Sequence, residues 1–263
     1  VGAHAGGMMV LHRKSGYIEY YNRHNSNLPS NNIYSIISDG YGGLWVASLE
    51  YLLHFDIDKR NFTIVDVDED GHKLQQYNRL LFCDSKKRIW AGGEMGISVF
   101  NQVGTSLLPN TDFQIASVLK QAFVNCFYET SSGYLWIGTR NGLFALKESD
   151  KQFLQYTTEN GLPSNVIYGI LEDAYGRLWI STNQGLSCLN PESGKFRNFT
   201  IMDGLQGNQF NAGAYCRKDN GYMLFGGVNG ITSFRPETLI DNPYAPKPVI
   251  NKLFVHNKEV LPA

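Results

Sequence analysis

Tryptophan recurs at a nearly constant interval in this sequence, and the interval limits the possible folds more than any other feature. The four tryptophans are separated by 45, 46 and 43 residues, and each lies in a short apolar run of similar composition, at 44–48, 89–93, 135–139 and 178–182. A fifth run, at 224–227, follows with Phe225 expected in the tryptophan position. A fixed period of this length is typical of repeat architectures.

Other features keep the same phase as the tryptophan. A Gly-, Asp- or Ser-containing turn precedes each apolar run, and a Gly-hydrophobic pair and an aromatic segment follow most of them. The unit therefore predicts four short strands, and no segment shows the apolar period of a helix. Four strands in about 45 residues predict one blade of a β-propeller. We predict an all-β fold of four-stranded antiparallel blades, with the tryptophans packed between blades and not serving as platforms for sugars.

The repeat also predicts how the chain is divided. We expect about five and a half blades in a partial ring, followed by a proline-rich linker and the first strand of an Ig-like β-sandwich. A partial ring exposes sheet edges, so we expect closure into a smaller ring or self-association as a homodimer. The expected boundaries are a half blade at 1–27, blades at 28–73, 74–118, 119–160, 161–203 and 204–240, a linker at 241–248 and the new domain at 249–263.

Composition excludes several classes of function. The 23 basic and 24 acidic residues nearly cancel, so the sequence predicts no contact with nucleic acid. No apolar run reaches the length of a transmembrane helix, and no signal peptide is visible. The four cysteines form no C-x-x-C pair, which favours buried free thiols.

Catalytic and metal-binding motifs are missing from the sequence. It contains no P-loop, HExxH or nucleophile elbow, and the six histidines are scattered. The acidic segment at 66–71 begins like a calcium loop, but Tyr77 stands where a bidentate Glu is needed, so we interpret it as a solvated turn. We predict no catalytic residues, no metal and no cofactor. A propeller lyase or lactonase is the enzymatic alternative, and only His4 and Glu94 would lie near its channel.

Propeller geometry indicates where a ligand would bind. Loops between the second and third strands share one face with the segments that join blades, and such loops often carry function. Amide and guanidinium groups there suit the hydroxyls of an oligosaccharide, although Asn is also a common turn residue. The candidate ligand-binding residues on this face are Arg140, Asn183, Glu94, His4, Asn165, Asn211 and Asn229.

One segment carries a family resemblance. Gly-Leu-Pro-Ser-Asn at 161–165, Glu172-Asp173, Gly-Arg-Leu-Trp-Ile-Ser-Thr at 176–182 and Gly185-Leu186 resemble the two-component regulator propeller repeat. The same pattern stands at 28–45 and partly around Trp136, whereas the blade around Trp90 departs most. Such repeats are typical of the periplasmic sensor region of hybrid two-component systems in Bacteroides-type bacteria.

The resemblance implies a function for the whole polypeptide. The parent chain would be anchored in the inner membrane and carry a histidine kinase and a DNA-binding regulator, and the propeller would sense a glycan fragment that controls glycan-utilisation genes. This fragment itself contains no kinase, receiver or DNA-binding segment. The alternative is a propeller that serves as a scaffold or dimerisation segment without its own ligand site.

Overall fold

The computed structural model describes residues 1–48, 51–65, 78–110, 119, 122–147, 152–239, 253–255 and 258–260. The described chain is all-β, with six antiparallel sheets of three or four strands, and the predicted fold class is confirmed. The acidic segment at 66–71 and the linker at 241–248 lie outside the described residues. No helix among the described residues is long and apolar enough to cross a membrane.

Each sheet is a meander in which consecutive strands pair, and we number the sheets as blades 1 to 6. Blade 1 consists of β1 (Gly2–Ala3), β2 (Gly7–Leu11) and β3 (Ile18–Tyr21), which correspond to the second, third and fourth strands of the other blades, because the Gly7 N–H donates to the Asn31 carbonyl as the Gly142 N–H donates to that of Asn165. Blade 2 consists of β4 (Ile33–Ser38), β5 (Gly43–Ser48), β6 (Leu52–Asp56) and β7 (Asn61–Ile64). Blade 3 consists of β8 (Asn78–Cys83), β9 (Arg88–Gly93), β10 (Gly96–Val103) and β11 (Ser106–Pro109).

The remaining blades repeat this order. Blade 4 consists of β12 (Val124–Glu129), β13 (Leu135–Thr139), β14 (Gly142–Lys147) and β15 (Gln152–Tyr156). Blade 5 consists of β16 (Ile167–Glu172), β17 (Leu178–Thr182), β18 (Gly185–Asn190) and β19 (Lys195–Phe199). Blade 6 consists of β20 (Phe210–Arg217), β21 (Met223–Gly227) and β22 (Gly230–Phe234). A separate hairpin pairs β23 (Leu253–Val255) with β24 (Lys258–Val260).

The tryptophans fill the spaces between blades, as their constant phase predicted. Trp45 packs against blade 3, Trp90 against blade 4, Trp136 against blade 5 and Trp179 against blade 6. All four are at most 2% exposed. Burial of such large rings dominates the energetics of these junctions, which explains why each repeat keeps an aromatic side chain there.

Blade 6 corrects one expectation. Gly227 pairs with Gly230 as Thr182 pairs with Gly185, so Leu224 occupies the position of Trp179. Phe225 lies one residue further on and points to the opposite side of the strand, since side chains alternate. The expectation that Phe225 takes the tryptophan position is therefore wrong by one residue. Phe225 is instead fully buried through packing with Trp179.

The first strands of the blades are neighbours, since β12 contacts β16 and β16 contacts β20, and they form the inner layer. Because consecutive strands are antiparallel, the loops fall on two faces. The upper face carries the loops between second and third strands and the segments between blades. The lower face carries the loops between first and second and between third and fourth strands.

Candidate functional site

A bulge recurs at the upper end of the inner strands. The pairing of the first and second strands shifts between Ile33 and Ser35 in blade 2, and corresponding shifts occur in blades 3 to 6. A bulge inserts an extra residue and redirects its side chain. In blades 2 to 5 the extra residues are Tyr34, Arg79, Asn125 and Tyr168.

Two of these bulge residues connect two of the predicted site residues. The His4 ring meets the Tyr34 ring edge to face, with 6.3 Å between centroids. The Arg79 guanidinium lies 5.1 Å from the centroid of the Tyr34 ring and pairs with the Glu94 carboxylate at 2.5 Å. His4 and Glu94 thus lie in one polar row that crosses blades 1 to 3, with a cation at its centre.

Arg140 is exposed on the upper face and is held over an aromatic ring. Its guanidinium carbon lies 3.7 Å from the centroid of the Phe123 ring, and its backbone N–H donates to the Phe123 carbonyl at 3.0 Å. This cation–π contact orients the guanidinium and leaves its edge free to donate hydrogen bonds. Asn183 lies on the corresponding loop of blade 5, and its Oδ1 is buried without a hydrogen-bond partner among the described residues.

Asn165 stabilises the segment between blades 4 and 5. Its Oδ1 accepts from the Thr158 backbone N–H at 2.8 Å, and its carbonyl accepts from the Gly142 N–H at 2.8 Å. Asn208 makes the same two contacts one blade later, to Ile201 and Gly185. The repeat therefore uses these asparagines to brace the segment between blades, and their side-chain oxygens are already engaged.

The last two candidates lie on blade 6. Asn211 begins the bulge of β20, so it corresponds to Tyr168 and not to Asn165. Asn229 is exposed, and its backbone N–H donates to Gln206 Oε1 at 2.8 Å. The described contacts do not join either residue to the row at His4 and Glu94.

The lower face holds a second repeated device, formed by an aspartate six residues before the tryptophan. Asp173 is 4% exposed; its Oδ1 accepts from the backbone N–H groups of Tyr175 and Arg177, both at 2.9 Å. Its Oδ2 accepts from Arg177 Nε at 2.7 Å and from Trp179 Nε1 at 3.0 Å. One carboxylate therefore shapes the turn with one oxygen and holds the arginine and the indole with the other.

The other junctions vary this device. Asp84 repeats it with Arg88 Nε at 2.6 Å and Trp90 Nε1 at 2.9 Å. In blade 2 the Asp39 Oδ2 meets His54 Nε2 at 2.8 Å, and Trp45 Nε1 donates to Gln102 Oε1 at 3.2 Å. Burial alone would raise the pKa of Asp39, but hydrogen bonds from His54, Tyr41 and Gly43 hold it below its ordinary value of 3.8.

Blade 4 lacks the carboxylate. Thr130 and Tyr134 stand where Asp173 and Arg177 stand in blade 5. The Thr130 hydroxyl accepts from the Tyr134 backbone N–H at 3.1 Å and so preserves the turn. Trp136 Nε1, however, is buried and has no hydrogen-bond partner among the described residues.

Groups that could bind a metal or react as nucleophiles form the last feature of the two faces. Within the described part of the chain, no group of three or more His, Cys, Asp or Glu could hold a metal ion. Cys83, Cys126, Cys188 and Cys216 are free thiols, of which Cys126 and Cys188 are buried. Burial raises the pKa of Cys126 to about 12, so this thiol is not a nucleophile at neutral pH.

Sequence reasoning missed several residues of the candidate site and of the aspartate arrangement on the lower face. Tyr34 and Arg79 were overlooked because they lie within strands, and a bulge leaves no mark in the sequence. The aspartates of the lower face were missed although their signal is visible: Asp84 and Asp173 each stand four residues before an arginine and six before a tryptophan.

Comparison with known proteins supports the motifs and the fold. The model of the two-component regulator propeller family matches residues 27–50, 119–141 and 161–184. Histidine kinase P4 of Formosa agariphila is 28% identical over 216 residues, which cover 79% of this chain and 16% of that protein. The chain therefore spans a small part of the curated relative it matches.

Solved structures share the fold. The extracellular domain of the putative hybrid two-component system BT3049 from B. thetaiotaomicron matches with a TM-score of 0.75 and 23% identity, over 95% of this chain and 34% of that chain. PorZ of Porphyromonas gingivalis matches with a TM-score of 0.68 and 16% identity, over 89% and 36%. A virginiamycin B lyase from Staphylococcus aureus matches with a TM-score of 0.62 and 14% identity, over 87% and 73%.

Two of the three matched segments coincide with the places where the sequence itself shows the motif most clearly: 27–50 contains 28–45, and 161–184 covers most of 161–186. The resemblance that the motifs indicated is thereby confirmed, and the chain carries two-component regulator propeller repeats on a β-propeller fold.

Proposed function

We propose that this chain is the sensor propeller of a hybrid two-component signalling protein, that it lies in the periplasm, and that it binds an oligosaccharide on its upper face. The observation that carries the proposal is the polar row of His4, Tyr34, Arg79 and Glu94, formed by side chains of three blades on a rigid scaffold. The matched repeats and the likeness to extracellular domains of hybrid two-component systems support the sensor role.

The chemistry of the upper face suits sugars. Sugar hydroxyls both donate and accept, so they pair well with carboxylates, guanidinium groups and amides in fixed positions. Glu94 accepts, Arg79 and Arg140 donate, and the ring of Tyr34 offers an apolar surface. The cations also suit the carboxylate of a uronate. The proposed ligand is therefore an oligosaccharide whose residues contact several blades at once, and its binding would stabilise one arrangement of the blades.

The proposed role is binding and relay, without catalysis. Glu94 is engaged by Arg79, and the thiol of Cys126 has a strongly raised pKa, so neither group is set up as a base or nucleophile. Turnover of a glycan by the pure protein, seen as new reducing ends, would overturn this part of the proposal. Self-association of the protein stays a prediction, and sedimentation velocity tests it.

Calorimetry of the purified protein against a glycan panel tests the site. We expect Arg79→Ala and Arg140→Ala each to weaken binding of a recognised glycan about tenfold or more, because each removes charge-assisted hydrogen bonds. Asn183→Ala should weaken it less. Arg13→Ala is the matched control, since Arg13 is exposed on the lower face and should leave affinity unchanged. Unchanged affinity in the Arg79 and Arg140 variants would remove the upper-face site.

A further inference from the structure

A second candidate site lies on the lower face, between blades 4 and 5. A pocket of about 280 Å³ opens there beside the indole of Trp136. Its other lining residues include Tyr134, Tyr156, Glu172, Tyr175 and Glu192. It lies on the opposite face from the oligosaccharide site proposed above and does not depend on it.

The indole N–H of Trp136 is the unusual feature of this pocket. It is buried and unpartnered among the described residues, whereas the other three tryptophans donate to Gln102, Asp84 and Asp173. A buried donor without an acceptor costs about 1 to 3 kcal/mol, so such groups are rare in folded proteins and call for an explanation. An acceptor supplied by a bound molecule removes that cost.

Comparison with the neighbouring junction shows how the lining of this pocket differs. Between blades 3 and 4 a pocket of about 230 Å³ is lined by Asp84 and Arg88, the two side chains that hold Trp90. Between blades 4 and 5 these positions carry Thr130 and Tyr134. The threonine keeps the turn but has no second oxygen to reach the indole, and the tyrosine adds an aromatic wall without a charge.

The remaining groups select the class of ligand. Glu172 is 8% exposed, and its carboxylate accepts from the backbone N–H and the hydroxyl of Ser131, both at 3.2 Å. Glu192 also lines the pocket and is exposed. Two carboxylates disfavour an anion. A cation satisfies them but offers no acceptor to the indole. A hydroxyl group accepts from the indole and donates to a carboxylate at the same time.

We propose that this pocket binds a small neutral molecule with several hydroxyl groups, such as a single sugar ring or a polyol. One ligand hydroxyl accepts from Trp136 Nε1, other hydroxyls donate to Glu172 and Glu192, and the carbon skeleton lies against the rings of Tyr134 and Tyr156. The exposed Tyr175 lines the pocket from blade 5. Occupancy would tie blade 4 to blade 5 at the junction that lacks the carboxylate.

The indole N–H resonance of Trp136 reports binding directly. Protein labelled with ¹⁵N is titrated with glucose, galactose and mannitol, and with glucuronate and tetramethylammonium as charged counterparts; the resonance is assigned with Trp136→Phe. We expect at least one neutral probe to shift this resonance saturably, with affinity at least tenfold above that of both charged probes. No saturable shift with any neutral probe, as for a pocket that holds only water, would overturn the proposal, and so would tighter binding of glucuronate or tetramethylammonium.

Two variants of the pocket complete the test. Thr130→Asp with Tyr134→Arg rebuilds the device of the neighbouring junctions, and we expect it to abolish the shift while raising the melting temperature. Glu192→Ala, at an exposed position that folding does not require, should weaken binding at least threefold even if the double variant fails to fold. Unchanged binding in Glu192→Ala and in a folded double variant would contradict the proposal. Arg79→Ala on the upper face should leave this site intact, which separates its failure from that of the oligosaccharide site.

Discussion

The junctions at Trp179 and Trp136 occupy equivalent places between consecutive blades, and they differ by a buried carboxylate and the arginine that it binds. At Trp179 a buried aspartate joins the turn, an arginine and the indole. At Trp136 a threonine keeps only the contact to the turn. Both junctions keep the turn between the first and second strands of the blade. Only the junction at Trp179 keeps the hydrogen bonds that join this turn to an arginine and to the indole.

The largest expected difference between the junctions lies in their dependence on the residue at the turn. Asp173→Ala removes the partner of a buried indole and of a partly buried arginine, so we expect the free energy of unfolding to fall by about 3 to 5 kcal/mol. Thr130→Ala should lower it by only about 1 kcal/mol, since it removes one neutral hydrogen bond from the turn. Urea unfolding of the two variants measures both losses.

The exposed carboxylate of Asp58 supplies the control for this series. Asp58→Ala should change the free energy of unfolding by less than about 0.5 kcal/mol, as is usual for surface positions. Equal losses in Asp173→Ala and Thr130→Ala would mean that the carboxylate contributes no more than the hydroxyl, and the comparison of the two junctions would fail.

A smaller effect isolates the indole N–H itself. Trp179→Phe and Trp136→Phe remove similar volumes from similar environments, so the packing losses should be nearly equal. Trp179→Phe also deletes a hydrogen bond to a charged group, which makes it costlier by about 1 to 2 kcal/mol. Thermal unfolding followed by circular dichroism gives the difference. If Trp136→Phe proves equally costly, the indole of Trp136 has a partner and the site beside it has no basis.

The packing role of the tryptophans could be predicted because it depends on period alone. Residues that return at one phase in every unit must meet the same environment, and burial at the blade junctions follows. The same reasoning failed at Phe225, because the aromatic residue of this run lies one position beyond the residue that pairs as Trp179 does. An average period fixes which strand a residue belongs to, but hydrogen-bond register decides which way its side chain points.

The candidate site was predictable only in part, for a related reason. The loops of the upper face follow from strand order, so His4, Glu94 and Arg140 could be placed on that face from the sequence. Tyr34 and Arg79 lie inside strands and reach the same face only because a bulge turns them, which depends on the pairing of two strands. Asn165 was predicted to bind a ligand, but its side-chain oxygen accepts a hydrogen bond from the segment between blades. The local sequence does not distinguish an asparagine that stabilises a loop from one that binds a ligand.

The remaining expected effect depends on pH and concerns blade 2, where a histidine replaces the arginine as partner of the carboxylate. The pKa of Asp39 lies below its ordinary value of 3.8, since hydrogen bonds from His54, Tyr41 and Gly43 outweigh its burial. A lowered carboxyl pKa in the folded state stabilises the protein above the ordinary pKa, and this stability is lost as pH falls through the folded value.

We therefore expect the free energy of unfolding of the wild type to exceed that of Asp39→Asn by about 2 kcal/mol near neutral pH, a typical value for hydrogen bonds to a charged group. The difference should shrink as the pH falls below about 4, because both proteins then carry a neutral side chain at this position. Urea unfolding over this range measures it, and a difference that stays constant with pH would show that the Asp39–His54 contact does not depend on the charge of the carboxylate.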